Sequence, residues 1–287
     1  MTSRPLADRV VLITGASRGI GRAVALACAQ AGARIVVAAK TVEPHPKLPG
    51  TIHTVADEIR ALGAEALPVP VDVRSEEQIA ALFSTIERTF GRLDALVCNA
   101  GAISLTPLSS TPVKRFDLMH EVNARAFFLC ARGALPLLRR STAGHLVSLS
   151  PPVSLDPRWL APHAPYTFSK YGMTLLALGL AGELAHARER ISVCCLWPRT
   201  TIATAAIEFA VGGPALLPRC RTPQIVADAI LEILATTDGS WSGRALLDED
   251  VLRARGRSDF SAYAVDPAHA GDLQSDLFVA EAVGTFT

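Results

Sequence analysis

Lysine is scarce in this 287-residue sequence: four occur (Lys40, Lys47, Lys114 and Lys170), so most of the 28 basic side chains are arginines. Neither sign of charge dominates, because 27 acidic residues leave a net charge of +1 with no long runs. A nucleic-acid binder concentrates positive charge on one face, so nucleic acid is excluded as a partner. Long apolar runs are also missing. The opening "MTSRPLADRV" has no hydrophobic segment behind its arginine, and the uncharged stretch from Tyr171 to Gly182 is too short to span a bilayer. A soluble, intracellular chain with no stable membrane insertion is expected. Six cysteines show no C-x-x-C pair and no metal-ligand spacing. Several fall in apolar runs, where cysteine acts as a small hydrophobe, so buried free thiols are expected and no metal. Internal repeats and low-complexity linkers are absent.

What is present is an alternation. Seven β-rich apolar runs, at 9–14, 34–39, 67–73, 93–98, 145–150, 191–197 and 244–248, are separated by stretches with helical character. Unbroken apolar strands between helices predict an α/β fold, a Rossmann-type doubly wound parallel sheet of about seven strands. With 49% hydrophobic side chains the chain can form one large core, although two small domains would also fit the length. We assign residues 1–248 to this α/β domain and 249–287 to an extension with little periodicity, covering the site or a subunit interface. Ser75 before Glu76, Glu77 and Gln78 reads as a capping box, Gly32 and Gly91 as helix stops, and Pro223 as a first helical turn. The irregular segments 41–50, 151–165 and 198–220 all follow strands, where open parallel sheets build their ligand crevice.

The first strand runs into "TGASRGIG", placing Gly15, Gly19 and Gly21 at the turn into an alanine-rich helix, with Ser17, Arg18 and Ile20 between them. Glycines let the backbone approach a pyrophosphate, and a helix N-terminus offers it unpaired N–H groups. Strand, loop, helix and second strand within about 30 residues make a dinucleotide site. After the second strand, where an acid would accept the ribose hydroxyls of NAD, stands Lys40. With Arg18 it makes a pair suited to a 2′-phosphate, so NADP is the expected cofactor. Glu43 keeps an NAD-type ribose contact open.

In "PYTFSKYG", Tyr166 and Lys170 are four residues apart, one turn of a helix on one face. Random placement of so few tyrosines and lysines gives such a pair in roughly 4% of cases. A free tyrosine titrates near 10, so acid/base work at neutral pH requires the phenolate to be favoured by about two or three units. A nearby ammonium in a poorly hydrated site can supply that.

The glycine loop, "NAG" after the fourth strand and "YTFSK" after the fifth resemble the short-chain dehydrogenase/reductase family from Asp8 to about Asp248. The resemblance implies an NADP-dependent oxidoreductase acting on a small-molecule carbonyl or secondary alcohol, as a homodimer or homotetramer. It implies an adenine contact at Asp72 and Val73 and a cofactor floor at Asn99, Ala100 and Gly101. Asn123 is implied to hold a helix kink and a relay water. Tyr166 is implied as the acid/base, with Lys170 also bonding the nicotinamide ribose. Cys98 stands where the family often has a second asparagine, with a small expected effect on stability. The family's Pro-Gly after the sixth strand is Pro198-Arg199 here, which introduces a cation and leaves the carboxamide contact open among Thr201, Ile202 and Thr204. The family's second strand-end serine is replaced by Pro151, so the substrate carbonyl is held by Ser150, by Ser154 or by neither, with Ser150 preferred.

Animal members of the group resembled carry a C-terminal lipid-carrier domain that is not expected here, and "GTFT" is not a peroxisomal address, so a cytoplasmic location is expected. The uncharged stretch from Ile202 to Leu217, interrupted only by Glu208, suits an apolar, lipid-like substrate. Two rivals remain open: a cofactor-binding sensor or scaffold without turnover, and an enoyl reductase on the same fold.

Overall fold

The computed structural model describes residues 4–46 and 48–279; Lys47 and the terminal "GTFT" lie outside the described residues. Seven strands, β1 (Val10–Thr14), β2 (Arg34–Ala39), β3 (Ala66–Pro70), β4 (Ala95–Cys98), β5 (Gly144–Leu149), β6 (Ile191–Trp197) and β7 (Ala245–Leu247), form one sheet. Its order is β3-β2-β1-β4-β5-β6-β7 and every pairing is parallel. Leu12, for example, lies opposite Val36 on one side and Leu96 on the other.

Helices cover both faces, which explains strands without polar alternation. On one face α1 (Gly19–Gln30), α2 (Ile52–Ala61) and α8 (Gln224–Ala235) pack over Ile13, Ile35, Val147 and Leu196. On the other, α3 (Glu76–Phe90), α5 (Ala126–Leu138) and α7 (Ala164–His186) pack over Leu12, Val36, Leu96 and Val193. The order reverses between β1 and β4, so their carboxyl ends splay apart and open a crevice. Among the described residues, no helix is long and apolar enough to cross a membrane.

Local chemistry sets the boundaries. The third strand stops at Pro70 rather than 73; it is the sheet's edge, and only there can Pro68 and Pro70 lack N–H donors without breaking a second ladder. Gly91 ends α3 in the left-handed region, as its sequence position suggests. Ser75 accepts from the Gln78 amide, but the box is not closed, because the Gln78 side chain accepts from the Asp72 amide instead. A reciprocal box occurs at Thr51 and Thr54, where Thr54 replaces the usual Glu or Gln partner. Segment 151–165 contains the short helix α6 (Pro157–Leu160), and 198–220 contains a π-helical turn (Ile207–Val211) and a 3₁₀ turn (Pro214–Arg219). After α4 (Val113–His120) comes one π-helical turn, Glu121–Arg125. Beyond β7, α9 (Asp248–Ala254) leads into a segment that folds back across the carboxyl ends of the strands.

Candidate active site

The site grows from β1. Thr14 Oγ1 accepts from the amides of Asn99 and Ala100, each at 3.1 Å. Asn99 Nδ2 in turn donates to the carbonyls of Thr14 (2.9 Å) and Gly15 (3.1 Å), tying the loops after β1 and β4 together. Two glycines are demanded by this closeness. Gly15 has φ of +67°, and a Cβ there would lie 2.9 Å from Ala100 Cα; a Cβ on Gly21 would lie 2.5 Å from the Gly15 carbonyl oxygen. Nothing in the sequence pattern marks Thr14, whose role follows only from the pairing of β1 with β4.

One cleft of about 780 Å³ runs along the strand ends. Gly15, Ser17, Arg18, Gly19, Ile20, Lys40, Asp72, Val73, Asn99, Ala100, Gly101, Tyr166, Lys170 and Thr201 all line it. Of the residues expected to meet the cofactor only Gly21 does not, since it packs beneath the loop. The groups present fit a dinucleotide: a glycine cradle that a Cβ would fill, the N-terminus of α1, and cations at the far end.

Those cations are arranged differently from the expectation. Arg18 braces the 41–50 loop, with Nε donating to the Pro49 carbonyl and Nη2 to the carbonyls of Leu48 and Gly50. Lys40 is exposed beside it. Asp72 is paired with Arg74 at 2.6 Å, which holds its carboxyl below the usual range. Arg74 also lines the cleft, so a third cation that the motif did not mark stands next to Lys40.

At the other end Tyr166 and Lys170 are buried on α7. Lys170 Nζ donates to the Leu149 carbonyl at 2.5 Å and lies 5.1 Å above the Trp197 ring. Burial lowers its pKa to about 8. The phenol of Tyr166 moves opposite to the sequence-based expectation. Burial, with the charge of Asp276 adding to it, pushes its pKa well above 10. The lysine's charge is engaged with a strand carbonyl and an indole face, so desolvation of the ring dominates. Asn123 is buried in the π-helical turn. Its Oδ1 accepts from the Ala102 amide and its Nδ2 donates to the Ala102 carbonyl and to Ser169 Oγ, each at 2.9 Å. It therefore clamps the loop after β4 rather than bonding its own helix.

A model of the short chain dehydrogenase family matches residues 9–209. The chain belongs to the short-chain dehydrogenase/reductase family. It is 47% identical over 276 residues to human hydroxysteroid dehydrogenase-like protein 2, covering 96% of this chain but 64% of that one, so it spans less than two thirds of that relative. A solved structure from Xanthomonas campestris is 45% identical, with a TM-score of 0.91 over 96% of this chain and 99% of the other. A metagenomic short-chain oxidoreductase solved in complex with NADP is 30% identical, with a TM-score of 0.68 over 85% of this chain and 97% of the other.

Set beside the family pattern, three positions depart. Ser150 is fully buried, 2.9 Å from Ser148 Oγ, and does not line the cleft. Strand alternation carries both hydroxyls to the same interior side, next to Cys195, so the preferred candidate for holding the substrate oxygen points elsewhere. Ser154 does not line the cleft either; its backbone exchanges two hydrogen bonds with the Tyr171 hydroxyl. Arg199 does not become a free cation at the site, because Asp250 (2.6 Å) and Glu249 (3.4 Å) pair with it.

The third departure is the tail. The Thr201 amide donates to the Gln274 carbonyl, the Asp276 amide to the Arg199 carbonyl, and the Trp197 indole to the Leu277 carbonyl. These bonds deliver Phe278 into an aromatic nest of Trp159, His163, Tyr166, Tyr171 and Trp197, with ring centroids 5.3 to 6.2 Å away. His163 thus packs within the nest, bonded to Thr167. Gln274, Ser275, Asp276 and Leu277 complete the cleft wall. Low periodicity concealed this contribution: residues 274–278 form no helix or strand of their own.

Proposed function

We propose that this chain is an NADP(H)-dependent oxidoreductase that moves hydride between the nicotinamide and a carbonyl or secondary alcohol of an apolar, lipid-like substrate. The observation that carries this reading is the continuous cleft, lined from the glycine loop past Lys40 and Arg74 to Tyr166 and Lys170. Lys40, Arg74 and Arg18 favour the extra phosphate of NADP over NAD. Thr201, Ile202 and Thr204 all line the cleft and share the candidate carboxamide contact.

When bound, the cofactor supplies the hydride. Tyr166 supplies the proton to the substrate oxygen. Its raised pKa keeps the phenol in the protonated form that reduction of a carbonyl consumes. Lys170, one helical turn after Tyr166 and lining the same cleft, would bond the nicotinamide ribose hydroxyls. Asn123 keeps the floor of the site in place through Ala102. Ile207, Phe209, Val211 and Leu216 give the far wall an apolar surface, and Glu208 is not part of the lining. Such a wall rewards burial of alkyl surface at about 25 cal/mol per Å².

A binder without turnover is the second reading, favoured by the absence of Ser150 and Ser154 from the cleft. NADPH consumption with a panel of medium-chain ketones, aldehydes and enoyl thioesters separates the readings. We expect turnover of a ketone or aldehyde and a loss of ~10²-fold or more in Tyr166→Phe, with NADPH affinity retained. Unimpaired Tyr166→Phe would remove the acid/base role, binding without consumption would leave a sensor, and consumption with enoyl thioesters alone would make it an enoyl reductase.

A further inference from the structure

The cleft wall around Tyr166 presents no serine hydroxyl from the strand end, yet it does present a carboxyl. Asp276 lines the cleft with Tyr166, Lys170 and Trp197. Its place is set by the strap: its amide donates to the Arg199 carbonyl at 3.0 Å, and the Phe278 ring stacks on the Tyr166 ring at 29° two residues later. One carboxyl oxygen, Oδ1, accepts from the Leu277 amide at 2.7 Å. The carboxyl is close enough to the phenol for its charge to raise the phenol's pKa.

We propose that the side-chain carboxyl of Asp276, in its acid form, donates the hydrogen bond that holds the substrate's carbonyl oxygen beside Tyr166, in place of the hydroxyl that Pro151 displaces. The proposal rests on the oxidoreductase reading above. In reduction, hydride from a reduced nicotinamide dinucleotide adds to the carbonyl carbon and the C=O π pair moves to oxygen. Tyr166 transfers its proton to that oxygen. Asp276 keeps its own proton and stabilises the charge that builds on oxygen during transfer.

The surroundings support a neutral carboxyl. Burial raises Asp276 to about 7, and nearby Asp248 adds to the rise, while the Leu277 amide, the Trp197 indole and the Lys170 ammonium oppose it. The titratable groups facing it are Tyr166 and Lys170 from α7, Asp248 from the start of α9, and Cys220 before α8. The Arg199 guanidinium, on the neighbouring loop, is engaged with Asp250 and Glu249 and leaves the carboxyl unneutralised. Asp276 is only half-buried, and the cleft side is the side on which a ligand can reach it. A carboxylic acid kept neutral by its site makes a strong donor to a developing oxyanion.

The test compares Asp276→Ala, Asp276→Asn and Asp276→Ser with wild type, using NADPH and 2-decanone or the best carbonyl of the panel. Asp276→Ala is expected to lower kcat/KM by ~10² to 10³, while Asn and Ser, which restore a donor, recover most of that loss. NADPH affinity should stay unchanged in all three, and hydrogen exchange of the Thr201 amide should show the strap still seated. Reduction by wild type should decline above pH ~7 with a limb that is absent in Asp276→Asn. A wild-type rate in Asp276→Ala would overturn the proposal, as would an Asn variant as slow as Ala. Carbon NMR of the Asp276 carboxyl in the NADPH complex gives a readout independent of turnover, and titration in the ordinary carboxylate range would overturn this proposal alone. A wild-type chain inert to the whole panel, with its Asp276 titrating high, would instead locate the failure in the oxidoreductase reading.

Discussion

Phe278 is the residue on which closure of the tail depends, and Phe278→Ala is the perturbation that tests it. The side chain is 4% exposed and meets five rings. Its φ of +67° is a conformation that costs an L-residue roughly 1–2 kcal/mol. The packing must exceed that cost for the strap to stay down. Truncating a buried phenylalanine costs about 3–5 kcal/mol. Alanine keeps the same backbone strain, so the difference between the variants reports the ring alone. The strap's hydrogen bonds, those involving Thr201, Asp276, Trp197 and Gln274 among them, contribute only about 0.5–1.5 kcal/mol each, so each is smaller than the loss of the ring. At the lower end, ~3 kcal/mol, local opening becomes ~10²-fold more frequent. Amide hydrogen exchange is the direct assay. The Thr201 and Asp276 amides, which bond across the strap, should exchange ~10²-fold faster in Phe278→Ala, while Leu12 in the central strand keeps its rate. Equal exchange at Thr201 and Asp276 in both proteins would refute the idea that the aromatic nest holds the strap.

Lys40→Asp should weaken NADPH binding by ~1–3 kcal/mol and shift preference towards NADH, read by titrating both cofactors; tighter NADH than NADPH binding by the wild type would contradict the choice of cofactor. His145 is buried at the start of β5 with its pKa depressed to about 4, by burial first and by the charge of Arg9 second. Because the folded state resists protonating this ring, its contribution is complete above the unfolded value of about 6.5 and is lost as pH falls from there towards 4. Urea unfolding should therefore show roughly 2 kcal/mol more destabilisation between pH 7 and pH 5 in wild type than in His145→Phe, and parallel pH dependences would show that the ring is hydrated in the fold.

Several features of the fold are legible in the chain because their causes are local. Seven apolar runs without alternation require a sheet buried on both faces, and the glycine loop before an alanine-rich helix requires a close approach at Gly15 and Gly21. The Tyr166 and Lys170 spacing places both side chains on one helical face whatever surrounds them. Even so, the direction of the Tyr166 shift was not legible, since spacing says that an ammonium is near but not that Leu149 and Trp197 engage it. Ser150 shows the same limit: alternation orders Ser148 and Ser150 on one side, but which side faces the cleft depends on the packing of β5 against β4 and β6. Arg18 and Arg199 are visible as cations in the sequence, whereas their partners, the 41–50 carbonyls and the acidic start of α9, are neighbours only in three dimensions. The tail is the extreme case. Residues 274–278 lack periodicity because their contacts go to separate parts of the fold, so only the folded sheet, by bringing Thr201, Arg199, Trp197 and Tyr166 to one edge of the crevice, decides that Asp276 and Phe278 belong to the site.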